Sequence, residues 1–328
     1  MERITLSNAA FEGDNNVYLF GDGPETVLVD TGDGAPATRE QLESALADRG
    51  VSIADVDRVF LTHWHGDHTG LAGEIQAESG ADVYVHARDA PLVEGDEDAW
   101  TAMHERQNAY FEQWGMPEDQ QRALRERMDG AGSGDVAPDV TTFEDGDAFS
   151  FDGRDLRVVH TSGHADGLSL FELGGGREAF TGDALLPQYT PNVGGADVRV
   201  ERPLEKYLRA LRRIADADYD RAWPGHREPI DDPTERAEYI IDHHEERSWR
   251  VLDALRRKDP CDAWTVSADL FGDLAGIHIL HGPGESYAHL EHLEREGSVV
   301  REGNEYRLAE GVAERLEATD GERWELEC

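Results

Sequence analysis

Val59-Phe60-Leu61-Thr62-His63-Trp64-His65-Gly66-Asp67-His68 joins a short apolar run to a turn that carries three imidazoles and a carboxylate within six positions. A lone histidine is most simply a solvated or hydrogen-bonded side chain. Four ligand-type groups on one turn point instead to metal. Neutral imidazole and carboxylate suit a borderline divalent ion such as Zn²⁺, and a turn leaving a strand can aim alternate side chains at two neighbouring ions. His63 and His65 could share one ion while Asp67 and His68 face another. The reading requires a strand before the turn and further ligands from elsewhere in the chain.

Such ligands stand at the exits of other strand-like runs. His164 follows Leu156-Arg157-Val158-Val159-His160 through Thr161-Ser162-Gly163, Asp183 follows Ala179-Phe180-Thr181-Gly182, and His226 closes Ala222-Trp223-Pro224-Gly225. Asp30 ends Thr26-Val27-Leu28-Val29 and precedes Thr31-Gly32. Strand exits are where α/β folds gather their chemistry. His160 ends its own strand and is read as structural or as a support for a ligand.

In this order, Asp, HxHxDH, His, Asp, His, the chain resembles the metallo-β-lactamase superfamily over roughly Ile4 to His226. The resemblance implies an α/β fold, an αβ/βα sandwich of two mixed sheets with helices outside and the metals at one edge. It assigns His63, His65 and His164 to a first ion and Asp67, His68 and His226 to a second, with Asp183 bridging. Asp30 is read as a carboxylate that fixes a ligand imidazole or its loop, or as a simple turn-forming residue. Two zinc ions are implied, and manganese or iron could occupy the same sites. The implied nucleophile is a bridging hydroxide, since zinc lowers the pKa of bound water to about 7. One ion would polarise the scissile oxygen and the other stabilise the leaving group, with Asp67 and Asp183 as the catalytic carboxylates.

The net charge of −39 and a pI near 4.5 are extreme for 328 residues. Lys206 and Lys258 are the only lysines. Self-repulsion of this size destabilises a compact state, and molar salt, with a Debye length of about 3 Å, removes most of it. A salt-accumulating, halophilic cytoplasm is the expectation. Seven Trp and regular apolar runs argue against disorder, the other reading of such acidity. Cys261 and Cys328 offer no disulfide framework and no CxxC site. Met1-Glu2-Arg3-Ile4 has no cationic leader before an apolar stretch, and nowhere do about 18 apolar residues run together. The expectation is a soluble cytoplasmic protein with no membrane association.

Residues 1–230 read as the catalytic domain, with strands at Arg3–Ser7, Asn16–Phe20 and Thr26–Asp30 and a helix near Arg39–Asp48. A helical insertion at about 96–130 interrupts it and resembles the cover that many family members place over their metals. Its Tyr110, Phe111, Trp114 and Met116 are candidates for a substrate wall, or pack the insertion onto the sandwich. The Pro-rich stretch after Asp183 is expected to line the pocket, with Tyr189 either a donor to a developing oxyanion or a structural hydroxyl. Residues 231–328 read as a long helix from Thr234 to about Lys258, helices at Thr265–Phe271 and Glu285–Glu296, and a hairpin turning at Gly303-Asn304, which together look like a winged helix. His243 and His244 read as a solvated helix face or an interdomain contact. The third helix carries Glu285, Glu291, Glu294 and Glu296 against Arg295, a charge that disfavours nucleic acid. Packing against the catalytic fold, narrowing the pocket or joining two subunits as a homodimer is the expected use.

The leading functional expectation is a dinuclear hydrolase of a small ester, thioester or lactone, resembling the glyoxalase II-like branch, although no Lys/Arg cluster marks a glutathione site. The alternative is a metal-dependent nuclease of the RNase type, since the same ligand set can cleave phosphodiesters. A flavodiiron oxidoreductase would need a flavodoxin domain, for which no room remains. A single-iron persulfide dioxygenase would not need Asp67, His68 and His226 together. A noncatalytic relative would have lost ligands, and a cytoplasmic enzyme would seldom meet a β-lactam drug.

Overall fold

A computed structural model describes residues 1–8, 13–128, 136–272, 276, 278–318 and 323–327. The expected end of the insertion at 129–130 and Cys328 lie outside the described residues. Alternating side chains build two sheets face to face. In the first, β1 (Glu2–Leu6), β2 (Asn15–Phe20), β3 (Val27–Val29), β4 (Arg58–Phe60), β5 (Asp82–His86) and β6 (Val140–Phe143) lie side by side in chain order. β1 to β3 pair antiparallel and β3 to β6 parallel. The second sheet is made of β7 (Ala148–Phe151), β8 (Arg154–His160), β9 (Ser169–Leu173), β10 (Glu178–Gly182) and β11 (Arg221–Pro224), antiparallel except for the parallel pair β10 and β11.

Period-two alternation sorts the core into layers. Phe20, Val27, Val29 and Phe60 from the first sheet meet Phe151, Val158, Phe171 and Phe180 from the second in an aromatic-rich inner layer. Their neighbours Leu19, Leu28, Val59 and Leu61 point the other way, onto Leu42 and Leu46 of α1 (Pro36–Ala47) and Ile75 of α3 (Ala72–Ser79). The short α2 (Gly66–Thr69) continues from the histidine turn. The expected sandwich is therefore present, with helices against both outer faces.

The outer face of the second sheet carries the rest of the chain. α4 (Ala90–Val93) leads into the insertion, which is two helices, α5 (Glu97–Gln113) and α6 (Glu118–Met128), parted where Gly115 takes φ +75° before Met116-Pro117. α7 (Pro203–Ala217) lays Leu204, Tyr207, Leu208, Leu211 and Ile214 onto the sheet. Then follow α8 (Pro233–Lys258), α9 (Ala263–Phe271), α10 (His278–Arg295), the hairpin of β12 (Val299–Glu302) and β13 (Glu305–Leu308), and α11 (Val312–Ala318). Three helices and a hairpin thus come in the order read from the sequence. α10 differs: it starts at His278, seven residues before the expected Glu285, and runs through Gly282-Pro283-Gly284. Local propensity marks that tripeptide as a breaker, and tertiary packing overrides it, because nearly every residue from Ile279 to Leu293 is buried. One continuous apolar cluster joins the insertion, α7 and the C-terminal elements, from Leu92 to Leu326.

Among the described residues, no helix is long and apolar enough to cross a membrane.

Candidate metal centre

Every strand whose exit carries a candidate ligand ends at the same edge. Asp30 follows β3, the histidine turn follows β4, His164 follows β8, Asp183 follows β10 and His226 follows β11. β2 pins the last of these loops: Asn16 N donates to Gly225 O at 2.7 Å, and Tyr18 Oη donates to Pro224 O at 2.7 Å. Gly225 is required there, since a Cβ would stand 2.5 Å from Asp183 Oδ1 and 2.6 Å from the His68 ring.

The seven ligand candidates converge. His63 Nε2 and His164 Nε2 stand 2.9 and 3.0 Å from His65 Nδ1. On the other side, His226 Nε2 lies 3.4 Å from Asp67 Oδ2, and His68 Nε2 lies 3.7 Å from the same oxygen. Asp183 sits between, its Oδ2 3.6 Å from His164 Nε2 and 3.5 Å from His226 Nε2, its Oδ1 3.5 Å from His68 Nε2. The groups His63/His65/His164, His63/His68/Asp183 and Asp67/His68/His226 each bring their ligand atoms within 4.8 Å of one another.

For four of the five rings, a bond on the far side fixes which nitrogen faces inward. His68 Nδ1 donates to Asp30 Oδ2 at 2.9 Å, His164 Nδ1 to Asn192 O at 2.8 Å and His226 Nδ1 to Gly13 O at 3.0 Å. His63 Nδ1 donates to the Thr62 hydroxyl at 3.0 Å, which itself donates to Asp30 Oδ2 at 2.9 Å. Each of these four Nε2 atoms therefore faces the others, where a bound cation takes the place of a proton. The buried His68 Nε2 and Asp183 Oδ1 have no hydrogen-bond partner. These donors fit a divalent ion.

Electrostatics agrees. Burial, helped by the neighbouring imidazoles, pushes His63 and His65 well below the usual histidine range, so both are neutral ligands. Burial opposes charge on His68 and His226 too, but Asp183 and Asp67 outweigh it, raising His68 well above its ordinary value and His226 to about 9. Burial also opposes charge on Asp183, and His226 and His68 overcome it to hold the carboxyl well below the usual range.

Asp30 does both things read for it. It takes φ +57° at the turn, and it accepts from His68, from Thr62 N at 2.8 Å and from the Thr62 hydroxyl. His160 stacks on His86 with ring centroids 4.2 Å apart and bonds Asp166 O at 2.7 Å, a structural place. One expectation needs correction. Trp114 is fully buried, packed on Tyr110, Phe111 and Tyr287, and with Phe111 and Met116 belongs to the core rather than to a substrate wall, because apolar burial captured the whole face of the insertion. Of the two alternatives read for His243 and His244, the contact holds for His244, which is fully buried against His289 and Tyr207. Tyr110 is half-buried beside Trp114 and Tyr287, and Tyr189 is exposed.

The insertion reaches the metal loop through another residue. Trp100 packs on Trp64, ring centroids 5.5 Å apart, and Trp64 packs on His65 at 4.6 Å. Trp64 is also clamped from below. Its indole donates to Asp197 at 2.9 Å and its backbone N to Asp89 at 3.1 Å, while Arg199 bonds both carboxylates and lies 5.5 Å over the indole. Burial pushes the Asp89 carboxyl up to about 7 against the pull of Arg199. Asp89 and Asp197 also accept from Gly167 N and Asp166 N, so one network ties the loop of His63 and His65 to that of His164. Nothing near a recognisable motif marks Asp89, Asp197 or Arg199 in the sequence.

The chain's likenesses agree with this geometry. Residues 10–226 match the family model described as the metallo-beta-lactamase superfamily. "Beta-lactamase-like protein 2 homolog" of Drosophila melanogaster is 28% identical over 252 residues, 72% of this chain, which spans only 66% of that relative. "Probable metallo-hydrolase YqjP" of Bacillus subtilis is 29% identical over 89% of this chain and 92% of its own. The solved metallo-beta-lactamase family protein TTHA1429 of Thermus thermophilus superposes with a TM-score of 0.79 at 33% identity, covering 94% of this chain and 98% of that one. The chain belongs to the metallo-β-lactamase superfamily, with His and Asp groups placed together where they could hold metal.

Proposed function

We propose that the chain hydrolyses a small ester, thioester or lactone at a two-ion centre, in the manner of the glyoxalase II-like branch. In this reading His63, His65 and His164 hold one ion, Asp67, His68 and His226 the other, and Asp183 lies between. One observation carries it: Asp183 Oδ2 stands almost equally far from His164 Nε2 and His226 Nε2, 3.6 and 3.5 Å, so a single carboxylate faces both ligand sets. Two divalent ions, when bound, activate water at neutral pH and polarise the scissile carbonyl. Zinc suits the nitrogen-rich set, and manganese or iron fits the same donors.

The chain's own residues supply the rest. Asn15 Nδ2 at 3.2 Å and Asn8 Nδ2 at 3.5 Å donate to Asp67 Oδ2 and fix that carboxylate beside His226. The Asp89–Arg199–Asp197 clamp holds Trp64, and with Trp100 it shields the His65 side from water. The substrate is a small molecule met in the cytoplasm, and residues 231–328 form a winged-helix-like unit used as a wall. Burial of α10 supports that use over binding of a duplex.

A second reading, a single-strand nuclease, draws on one feature. Arg227, next to His226, lies 4.8 Å over the exposed Tyr189 ring, and Arg236 lies 4.9 Å over the exposed Tyr239 ring and donates to Tyr189 O. Arginine and exposed aromatic rings suit bases and phosphates. Metal-loaded protein assayed in high KCl on acyl esters, thioesters and lactones beside single-stranded RNA separates the two. Acyl cleavage lost in Asp183→Ala is expected, and cleavage of RNA alone would overturn the primary reading.

A further inference from the structure

We propose that α10 sets one of the two metal positions, acting on His164 through Asn192, so that the C-terminal region completes the metal centre. This rests on the metal-binding reading above. His164 Nδ1 donates to Asn192 O at 2.8 Å, a bond to backbone that depends on how the 192–196 turn is held. The Asn192 side chain holds it from both ends. Its Oδ1 accepts from Gly195 N at 3.1 Å and Ala196 N at 3.0 Å, closing the turn. Its Nδ2 reaches α10, donating to His281 O at 3.2 Å and Glu285 Oε2 at 3.4 Å.

The helix is seated for this purpose. A Cβ on Gly284 would stand 2.3 Å from Gly195 Cα and 2.7 Å from Gly194 O, and one on Gly195 would stand 2.9 Å from His281 Cα. Backbone meets backbone only because glycine occupies both sides, which explains Gly284 inside the helix. Glu285 is itself anchored by an ion pair with Arg247 of α8, both side chains about nine-tenths buried. His244 and His289 stand beside this pair, and with Glu285 they bring ligand-type atoms within 4.8 Å. The positive charge that Glu285 faces is already the chain's own, so this cluster is a brace and not another metal site.

A positioning partner of a ligating histidine, when removed, changes metal affinity about 10- to 100-fold. The test uses chelator-stripped full-length protein titrated with Co²⁺ alone, in competition with a chromophoric chelator, with the visible d–d bands followed for each equivalent. Wild type is expected to take up two equivalents. Asn192→Ala and the near-isosteric Glu285→Gln are each expected to weaken one equivalent at least 10-fold and alter its bands, leaving the other equivalent unchanged. Asn192→Asp, which keeps the turn-closing oxygen but places a second carboxylate at Glu285, should behave like Asn192→Ala. Folding of each variant is read by far-UV circular dichroism of the stripped protein, and Glu285→Gln serves if Asn192→Ala does not fold. If wild type binds two equivalents and the folded variants bind both as tightly and with the same spectrum, the inference is wrong. If wild type binds none, the functional reading fails first.

Discussion

Asp183 has no substitute among its neighbours, since His68, His164 and His226 all place Nε2 within 3.6 Å of it. Asp183→Ala is expected to cut bound metal from two equivalents to one or none, measured by elemental analysis after gel filtration. Asp30 acts at one remove. Asp30→Ala would leave His68 Nδ1, Thr62 N and the Thr62 hydroxyl without their buried acceptor. Each such group costs about 1–3 kcal/mol, and metal affinity should fall about 10- to 100-fold, read by denaturant unfolding and by competition. The imidazoles also set a pH profile for the stripped protein. His63, His65, His244 and His289 are held well below 6.5, and His86 and His243 fall to about 4, burial being the main cause in each. A histidine kept neutral in the fold takes up its proton only on unfolding. Its contribution is therefore complete above 6.5 and lost as pH falls towards 4. His226, raised to about 9, has the opposite sign and loses its contribution as pH rises from 6.5 through 9. The melting temperature of stripped protein should thus peak near pH 6.5 and fall more steeply on the acid side, and a flat profile from pH 4 to 7 would contradict this.

α7 and α10 show what the sequence carried and what it hid. Leu204, Leu208 and Leu211 of α7 recur at helical spacing, so this helix is legible in the sequence. The start of α10 was not, because Gly-Pro-Gly is stable as helix only against a partner loop nearly ninety residues away in the chain. The same holds at the centre. The candidate ligands were legible because each stands at a strand exit and the chemistry restricts their type. Asn192, Asp89, Asp197 and Arg199 were not, since their role lies in bonds between loops that only the folded chain brings together. Burial separates Trp114, a core residue, from Trp100, which stands beside the metal loop. Between α8 and α10, Arg247→Met would leave the Glu285 charge buried without its partner. A loss of about 3–5 kcal/mol is expected in urea unfolding, with much of it recovered in the double variant that also carries Glu285→Met.

The apolar cluster that runs from Leu92 to Leu326 makes the insertion, the second sheet's outer helices and the C-terminal elements one core, and the charge of −39 presses on all of it together. The surface pairs do not relieve that pressure. Arg39 bonds Glu43, Glu74 and Glu78, and Arg257 bonds Asp253 and Asp269, so single cations are shared among several carboxylates. With 31 Lys and Arg against 70 Asp and Glu, at least 39 carboxylates have no cation of their own. Exposed pairs contribute about 0–1 kcal/mol each and weaken in salt, so salt removes little attraction while it screens the net repulsion. Above about 1 M the Debye length falls to about 3 Å, shorter than the spacing between most surface charges. Raising KCl from 0.1 to 2 M is therefore expected to raise the melting temperature by several degrees and to slow unfolding. Sodium sulfate also strengthens apolar burial, so the comparison belongs in KCl, where screening dominates. A native far-UV spectrum in dilute buffer with no gain in melting temperature up to 2 M KCl would mean that the folded chain tolerates its charge by some means other than screening.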